Sequence, residues 1–355
     1  MYKEIAINGK YMCKKECRGV QRYTKEVLHA LDEQVEPGLV KVIVPHKTIS
    51  IDKFKNIEVV KFGGFLTSKL WQILGFQLYI WTHSAFSICL SDGVPFFGIG
   101  IAAIHDVRFL EDLKKKNTLK ARIGLIFSKM TFRNAIEHAK SIVTVSNFSK
   151  NQIEDKFNLD EKNKVFVAYN SWQHLRRIKI DESIFERNPE IEKGEYYFSL
   201  GGTEESKNMV WILHMVEKYP DRQFLMAGPR NLYFPTEGVD LTKFKNFKHL
   251  GYVTDSEMKT LMKNAKAFLF PSKYEGFGIP PMEAISVGTP AIISNAACLP
   301  EVYKSYVAYF SPDDYDADLD VLLEKVPDNY EGVLELYSWD KTAKSILNVA
   351  KKYIQ

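Results

Sequence analysis

The sequence predicts an α/β protein built from two successive doubly wound parallel sheets. Its 355 residues fit two domains of ordinary size. Short apolar runs alternate with helical stretches along the chain, which is typical of parallel strands covered by helices. This rhythm stops at the polar stretch 179–195 and then restarts. We therefore expect one doubly wound domain before this stretch and a second domain after it.

The first domain, residues 1–180, is predicted to begin as strand, loop and helix. Residues 5–9 form a short apolar run, and apolar side chains recur at helical spacing from Val20 onwards. Helical stretches such as 119–139 separate the later strand-like runs, which read VKVIVP, IGIAAIHD, SIVTVS and KVFVAYN. This order favours a parallel sheet whose strands are connected by helices.

The second domain, residues 181–337, repeats the same alternation. Its predicted strands are the runs YYFSLGG, QFLMAG, HLGYV, AFLFPS, PAIISN and VAYF. In doubly wound sheets, ligands bind beyond the carboxyl ends of the strands. Functional residues are therefore expected directly after these runs.

Charge is distributed unevenly between the two halves. Residues 1–180 hold 29 Lys and Arg against 17 Asp and Glu, whereas residues 181–355 hold 19 against 27. A basic half fits a nucleic acid, an anionic lipid or a phosphorylated substrate, and mutual attraction of two domains explains it equally well. Nucleic acid is the weakest of these because no recognised binding module accompanies the basic half.

Cysteine usage and hydropathy predict a cytoplasmic protein. Four cysteines are too few for a disulfide framework, and Cys13 and Cys17 lack the second Cys/His pair of a zinc site. The N-terminus has no apolar run of a secretory signal. Residues 70–91 carry no Asp, Glu, Lys or Arg. Their polar residues favour a core helix and a buried strand over a membrane span, with contact at a membrane surface as the alternative.

The stretch YEGFGIPPMEAISVGTPAIISN, residues 274–295, places two carboxylates around a glycine turn. It follows the predicted strand AFLFPS and leads into a helix opened by prolines. Glu275 is expected in the loop and Glu283 in the first turn of the helix. Glycine amides and a helix N-terminus can hold a phosphate, and carboxylates can bind the hydroxyl groups of a sugar or ribose. The alternative is a solvated loop residue and a charge that complements the helix dipole.

Residues 275–302, EGFGIPPMEAISVGTPAIISNAACLPEV, resemble the donor-binding signature of glycosyltransferase family 4, retaining enzymes of the GT-B fold. The resemblance covers nearly the whole chain, through the segments NGKYMCKKECRGVQRYTKEV, AAIHDVRFL, IVTVSNFSKNQI, GGTEESKN and SWDKTAKSILNVAKKY. It implies two Rossmann-like domains that face a cleft. It also implies that residues 338–355 form a helix that packs back towards the first domain.

The resemblance also implies roles for individual residues. The catalytic candidates are His105, which would contact the donor sugar, and Glu275. The donor-binding candidates are Gly19, Val20, Gly202, Lys207, Phe277, Gly278, Ile279 and Glu283. Among these, Lys207 would supply positive charge to the leaving pyrophosphate, Gly19 would approach it, and Glu283 would bind the ribose.

One expected positive charge is absent from GGTEESKN. Many members of the family place an arginine just after the first glycine or directly before the lysine, where this chain has Gly202 and Ser206. Arg18, Arg22 and Arg230 are the candidates for a replacement phosphate clamp. An inactive protein that only binds a sugar nucleotide is therefore one alternative.

No cofactor and no metal ion are expected, because enzymes of this type generally do not need a bound metal. Asp316, Asp318 and Asp320 resemble a metal-binding DxD motif only superficially. They open an apparent helix, where acidic residues are favoured by the dipole.

The resemblance implies a hexosyltransferase-type enzyme that moves a sugar from a nucleotide-diphosphate donor to an acceptor hydroxyl with retention. Bacterial capsule, O-antigen or exopolysaccharide synthesis is the expected role. The expected acceptor is a glycan or lipid-linked glycan, and the basic first domain fits contact with the inner, anionic face of the membrane. A nucleotide-sugar epimerase or hydrolase of the GT-B fold is the second alternative.

Overall fold

The structure is a computed structural model that describes residues 2–13, 19–64, 66, 70–91, 93–107, 119–159, 164–202, 204–228 and 243–354. Arg18 and Arg230, two of the three proposed phosphate clamps, lie outside the described residues. The chain forms two compact units. Unit 1 comprises Met1–Asn170 and Trp339–Gln355, and unit 2 comprises Ser171–Ser338.

Unit 1 is built on a parallel sheet with the strand order β3-β2-β1-β4-β5-β6-β7. The strands are β1 Glu4–Asn8, β2 Val40–Val44, β3 Glu58–Lys61, β4 Ala85–Cys89, β5 Ile101–Ala103, β6 Ser141–Thr144 and β7 Val165–Val167. The helices are α1 Val20–Asp32, α2 Phe76–Thr82 with a preceding π-helical turn Trp71–Gly75, α3 Leu119–His138 and α4 Asn147–Phe157. All seven strands pair in parallel, as predicted.

Unit 2 is built on a second parallel sheet with the strand order β10-β9-β8-β11-β12-β13. The strands are β8 Tyr196–Leu200, β9 Gln223–Ala227, β10 Phe247–Gly251, β11 Ala267–Phe270, β12 Ala291–Ser294 and β13 Ala308–Phe310. The helices are α5 Ser183–Glu186, α6 Met209–Lys218, α7 Asp255–Lys263, α8 Ile279–Ile285, α9 Leu299–Tyr303 and α10 Leu319–Glu324. The predicted doubly wound class is confirmed for both units.

Five of the strands are buried along their whole length. Every residue of β1, β4, β6, β11 and β12 is buried, because helices cover a parallel sheet on both sides. The edge strand β3 was missed, since its end residues Glu58 and Lys61 are exposed and interrupt the apolar pattern.

The C-terminal helix α11, Trp339–Lys351, belongs to unit 1 and packs against α1. The Trp339 ring lies 5.9 Å from the Tyr23 ring in an edge-on contact. The Gln34 side chain donates a hydrogen bond to the Asp340 carbonyl at 3.1 Å. The predicted return of the chain to its first domain is therefore confirmed.

The charge-free segment 70–91 forms a helix and a buried strand, as expected, but the helix presents the opposite face to the core. Trp71, Phe76 and Tyr79 are buried, whereas the regularly spaced Leu74 and Leu78 are exposed. Periodicity shows that one stripe is apolar, but it does not show which stripe neighbouring elements cover. Over the described ranges, no helix is long and apolar enough to span a bilayer.

Candidate functional site

The loops after two neighbouring strands of unit 2 bring Lys207 and Glu275 together. Strands β8 and β11 pair directly, so their carboxyl ends lie at the same edge of the sheet. Lys207 ends a short 3-10 helix, Glu205–Lys207, that follows β8. The Lys273 amide, after β11, donates a hydrogen bond to the Ser206 carbonyl at 2.7 Å. This bond fastens the two loops to each other.

Lys207 and Glu275 form an ion pair. The Lys207 Nζ atom lies 2.6 Å from Glu275 Oε1, and the side chains are 26% and 14% exposed. The sequence assigned these two residues to different parts of a donor, phosphate and sugar. Their contact means that an arriving diphosphate would share or displace the carboxylate that already holds the lysine.

Gly202 leaves the space through which the Lys207 side chain passes. A Cβ atom at position 202 would lie 2.7 Å from Lys207 Cγ, closer than real contacts allow. An arginine at position 202 would therefore require Lys207 to move. The observed position of the Lys207 side chain therefore depends on a glycine at position 202.

Gly278 forms the tight turn between the carboxylates. Its φ of 77° lies in the left-handed region, and a Cβ there would lie 2.6 Å from Leu299 Cδ2. Pro280 and Pro281 have no amide hydrogen, and the Met282 amide donates to the Tyr303 hydroxyl at 3.0 Å. The first turn of α8 therefore offers fewer amides to an anion than the sequence suggested.

The Tyr303 side chain holds this turn by two hydrogen bonds to its backbone. Its hydroxyl donates to the Gly278 carbonyl while it accepts from the Met282 amide. Burial raises the pKa of Tyr303 far above its usual range, so the hydroxyl keeps the proton that it donates. The turn between Glu275 and Glu283 is thus held by a side chain that the sequence did not single out.

Glu283 lies in the second turn of α8, since the helix begins at Ile279. The helix begins at the expected residue, but one turn holds only about 3.6 residues and Glu283 is the fifth residue, so the expectation of a position in the first turn was wrong. The carboxylate is buried and accepts a hydrogen bond from His174, whose Nε2 atom lies 2.7 Å from Glu283 Oε1. The side chains are only 3% and 6% exposed. Burial of this kind requires a partner, and His174 is that partner.

His174 lies on the segment by which the chain enters unit 2, in the 3-10 helix Gln173–Arg177. Two neighbouring side chains fasten this segment within unit 2. The Trp172 indole donates to the Leu334 carbonyl at 3.1 Å, and the Gln173 amide donates to the Tyr337 carbonyl at 3.1 Å. The Tyr337 ring in turn contacts Phe277, 5.4 Å away. Sequence reasoning missed His174 because it stands alone, outside any motif.

The candidates of the first domain lie in unit 1. Gly19, with φ 48°, precedes α1, and Val20 is the first residue of that helix. The His105 ring lies 4.9 Å from the Tyr23 ring, and its Nε2 atom donates to the Leu90 carbonyl at 3.2 Å. Arg22 is partly buried on α1. The position of His105 after β5 agrees with its expected place at a strand end.

The acidic residues after β13 serve the helix that they open. The Asp318 carboxylate accepts hydrogen bonds from the amides of Asp320 and Val321 at 2.9 and 3.2 Å, as an N-cap. The Asp320 carboxylate pairs with Arg222 at 2.6 Å, which holds its pKa below the usual value. Across the described part of the chain, no cluster of three or more His, Cys, Asp or Glu is placed to hold a metal.

Comparison with known proteins finds a family match for most of unit 2. Residues 180–331 match the family described as glycosyl transferases group 1. The O-antigen chain mannosyltransferase RfbU of Salmonella typhimurium is 26% identical over 235 residues, 64% of this chain and 64% of that protein. The matched part is less than two thirds of the length of the first three curated relatives.

Two solved structures show the fold. Sucrose-phosphate synthase from Thermosynechococcus elongatus superposes with a TM-score of 0.69 at 12% identity, over 99% of both chains. Anabaena Alr3699/HepE, solved in complex with UDP-glucose, gives a TM-score of 0.61 at 12% identity over 99% of this chain and 98% of that one. Residues 180–331 are therefore similar to the glycosyl transferases of group 1, and the chain as a whole has the GT-B fold of these solved structures.

Proposed function

We propose that this protein transfers a hexose from a nucleotide-diphosphate donor to an acceptor hydroxyl with retention of configuration. The observation that carries this proposal is the Lys207–Glu275 ion pair at the carboxyl ends of adjacent strands, within the stretch that matches the family. A bound diphosphate needs a positive charge, and a bound sugar needs a group that accepts hydrogen bonds from its hydroxyls. Lys207 and Glu275 supply these two groups at one place.

The donor would bind to unit 2 by three groups. Glu283, held by His174, would accept hydrogen bonds from the ribose hydroxyls. Lys207 would neutralise the diphosphate, together with amides near Gly278, Ile279 and Gly202. Glu275 would then hold sugar hydroxyls. By the resemblance, Gly19 and Val20 would serve the diphosphate and His105 the sugar. Arg22 is the one proposed replacement clamp that the structure describes.

Transfer breaks the bond between the sugar C1 atom and the phosphate oxygen, and the electron pair stays on the phosphate. Lys207 stabilises that developing negative charge, and Glu275 faces the positive charge on the sugar ring. The acceptor oxygen forms the new bond to C1 on the side that the phosphate leaves. Its proton passes to the departing phosphate oxygen, so no carboxylate base is required.

The related O-antigen mannosyltransferase supports surface-polysaccharide synthesis as the role, with a glycan or lipid-linked glycan as acceptor. The net positive charge of residues 1–180 supports work at the inner, anionic face of a membrane. A nucleotide-sugar epimerase or hydrolase would use the same donor groups but would consume donor at full rate without an acceptor. A binding-only protein would hold the donor without any turnover.

A thermal-shift screen tests the donor proposal. UDP, GDP and dTDP, each with and without a hexose, should include at least one compound that raises Tm. A ligand at 100 times its Kd stabilises a protein by about 2.7 kcal/mol. The sugar nucleotide should shift Tm more than its bare nucleotide because Glu275 contacts the sugar. No shift with any nucleotide would contradict the proposal.

His174 should be required for nucleotide affinity through its hold on Glu283. We expect His174→Phe to weaken nucleotide binding by about tenfold, because phenylalanine keeps an aromatic ring but lacks the N–H group that donates a hydrogen bond to Glu283. His174→Gln should retain most of the affinity because its amide can donate to the same oxygen. Isothermal titration with the best nucleotide of the screen measures both effects.

The 2′,3′-dideoxy form of that nucleotide separates positioning from general damage. It lacks the hydroxyls that Glu283 would bind, so its affinity should be equal for the wild type and His174→Phe. His138→Phe, at an exposed histidine of unit 1, is the control. An equal loss for both nucleotide forms would show that His174 has only a structural role.

A further inference from the structure

The helical segment that begins at Trp71 buries two glutamines and leaves a stripe of large apolar residues exposed. The side chains of Gln72 and Gln77 are buried, whereas Leu74, Leu78 and Trp81 are 54%, 50% and 59% exposed. Leu70, at the start of the same stripe, is 48% exposed. Exposure of this apolar stripe to water is unfavourable, and the exposed face of a helix in a soluble protein is normally polar.

A neighbouring loop extends the exposed apolar stripe. Phe97 is 64% exposed, and its ring stacks 6.1 Å from the Trp81 ring. The Gln77 side chain holds the Phe97 backbone on both sides: it donates to the carbonyl at 3.0 Å and accepts from the amide at 2.8 Å. The buried glutamine thus explains why Phe97 stays exposed beside Trp81.

Helix α3 continues the same surface. The Asn134 amide donates to the carbonyls of Pro95 and Phe96 at 3.0 and 3.2 Å, which joins α3 to the loop. Met130 and Ile126 precede Asn134 at four-residue spacing and are 57% and 58% exposed. The exposed apolar residues of these three segments, the helix from Leu70 to Trp81, the loop at Phe96 and Phe97, and α3, form what we name the apolar face.

Positive charge accompanies the apolar face. Residues 70–91 contain no charged side chain apart from histidine, and Arg133 of α3, which pairs with Glu137, is 80% exposed. Lys129, beside Met130, is exposed. A second copy of this chain on the face would bring like charges together, which opposes a symmetric dimer. An anionic bilayer offers both an apolar interior and a negative surface.

We infer that the apolar face is a membrane-docking surface that inserts Trp81, Leu74 and Phe97 into the interface of an anionic lipid bilayer. Tryptophan and leucine are favoured at this depth, and Lys129 would lie at the level of the headgroups. This inference rests on the proposed function in one respect, that a lipid-linked acceptor would be reached from this surface. Docking itself requires neither donor nor transfer.

Tryptophan fluorescence tests the inserted residue directly. The chain has five tryptophans, of which Trp71, Trp172, Trp211 and Trp339 are buried, so Trp81 is the one that water reaches. Vesicles of phosphatidylcholine with phosphatidylglycerol should shift the emission of the full-length protein to the blue, and brominated lipid should quench it. Trp81→Phe should remove both signals while the protein still binds. Persistence of the shift in Trp81→Phe would overturn the assignment.

Vesicle sedimentation tests the surface as a whole. The triple variant Leu74→Ser, Leu78→Ser, Trp81→Ser should bind anionic vesicles at least about tenfold more weakly than the wild type. Lys129→Glu should weaken binding to anionic vesicles at low salt but not at high salt. Tyr252→Ser, at a tyrosine 59% exposed in unit 2, is the matched control and should bind as the wild type does.

The outcomes separate docking from the proposed function. The triple variant should keep the nucleotide-induced rise in Tm, which shows that it is folded and that its donor site is intact. Full vesicle binding by the triple variant would overturn the inference, as would a wild type that ignores anionic vesicles. If the wild type were a dimer that did not bind vesicles, and the triple variant were a monomer, the apolar face would instead be the contact surface for a second copy of the chain.

Discussion

Glu275→Ala should lower sugar transfer by about 100-fold or more while nucleotide affinity stays within about twofold of the wild type. The carboxylate is proposed to act on the sugar, so its loss removes contacts that a bare nucleotide never makes. Its loss also releases Lys207, which is bound to it at 2.6 Å, for the diphosphate. Transfer from the donor found in the thermal-shift screen, to an acceptor extracted from the producing cells, measures the first effect.

The second ion pair after β11 gives a matched control for this variant. Lys273 and Asp313 lie 2.5 Å apart, but their side chains are 40% and 71% exposed. Asp313→Ala should therefore leave both transfer and nucleotide binding unchanged. If Glu275→Ala transferred sugar at the wild-type rate, the proposed role of the ion pair would be wrong. If both variants lost nucleotide binding equally, the loops rather than the carboxylate would be responsible.

Glu283→Ala should weaken the binding of bare nucleotide and of donor alike. Loss of a carboxylate that accepts ribose hydroxyls costs about 2 kcal/mol, roughly a thirtyfold decrease in affinity. The 2′,3′-dideoxy nucleotide should not distinguish the variant from the wild type. Isothermal titration with both nucleotide forms measures the difference. Unchanged nucleotide affinity in Glu283→Ala would remove the ribose assignment.

The buried position of Glu283 adds a second expectation. The Glu283→Ala variant leaves His174 buried beside a cavity, so the Tm of this variant should fall. The Glu283→Gln variant should keep the hydrogen bond to His174 and most of the stability. The double variant His174→Phe, Glu283→Ala should bind nucleotide no more weakly than Glu283→Ala alone, because both changes act on one contact. Glu324→Ala, at an exposed glutamate of α10, controls for loss of charge in unit 2.

Much of the fold was accessible from the sequence because strands covered on both faces are continuous apolar runs. β1, β4, β6, β11 and β12 are such strands. The edge strand β3 was not found, because its apolar core is only Val59 and Val60 between the exposed Glu58 and Lys61. The two carboxylates of the 275–302 segment were found by their spacing, but Glu283 lies at the start of the second helical turn and not in the first, because it is the fifth residue of a helix that begins at Ile279.

The sequence by itself determined the two parallel sheets, the return of the C-terminal helix to unit 1 and the similarity of residues 180–331 to the glycosyl transferases of group 1. The sheets follow from local periodicity, and the other two follow from the resemblance of several segments to a known family. Only the tertiary structure decided that Lys207 contacts Glu275, that His174 holds Glu283 and that the apolar stripe of the Trp71 helix faces outwards. Each of these depends on which distant segments the fold makes neighbours, and no local pattern encodes that choice.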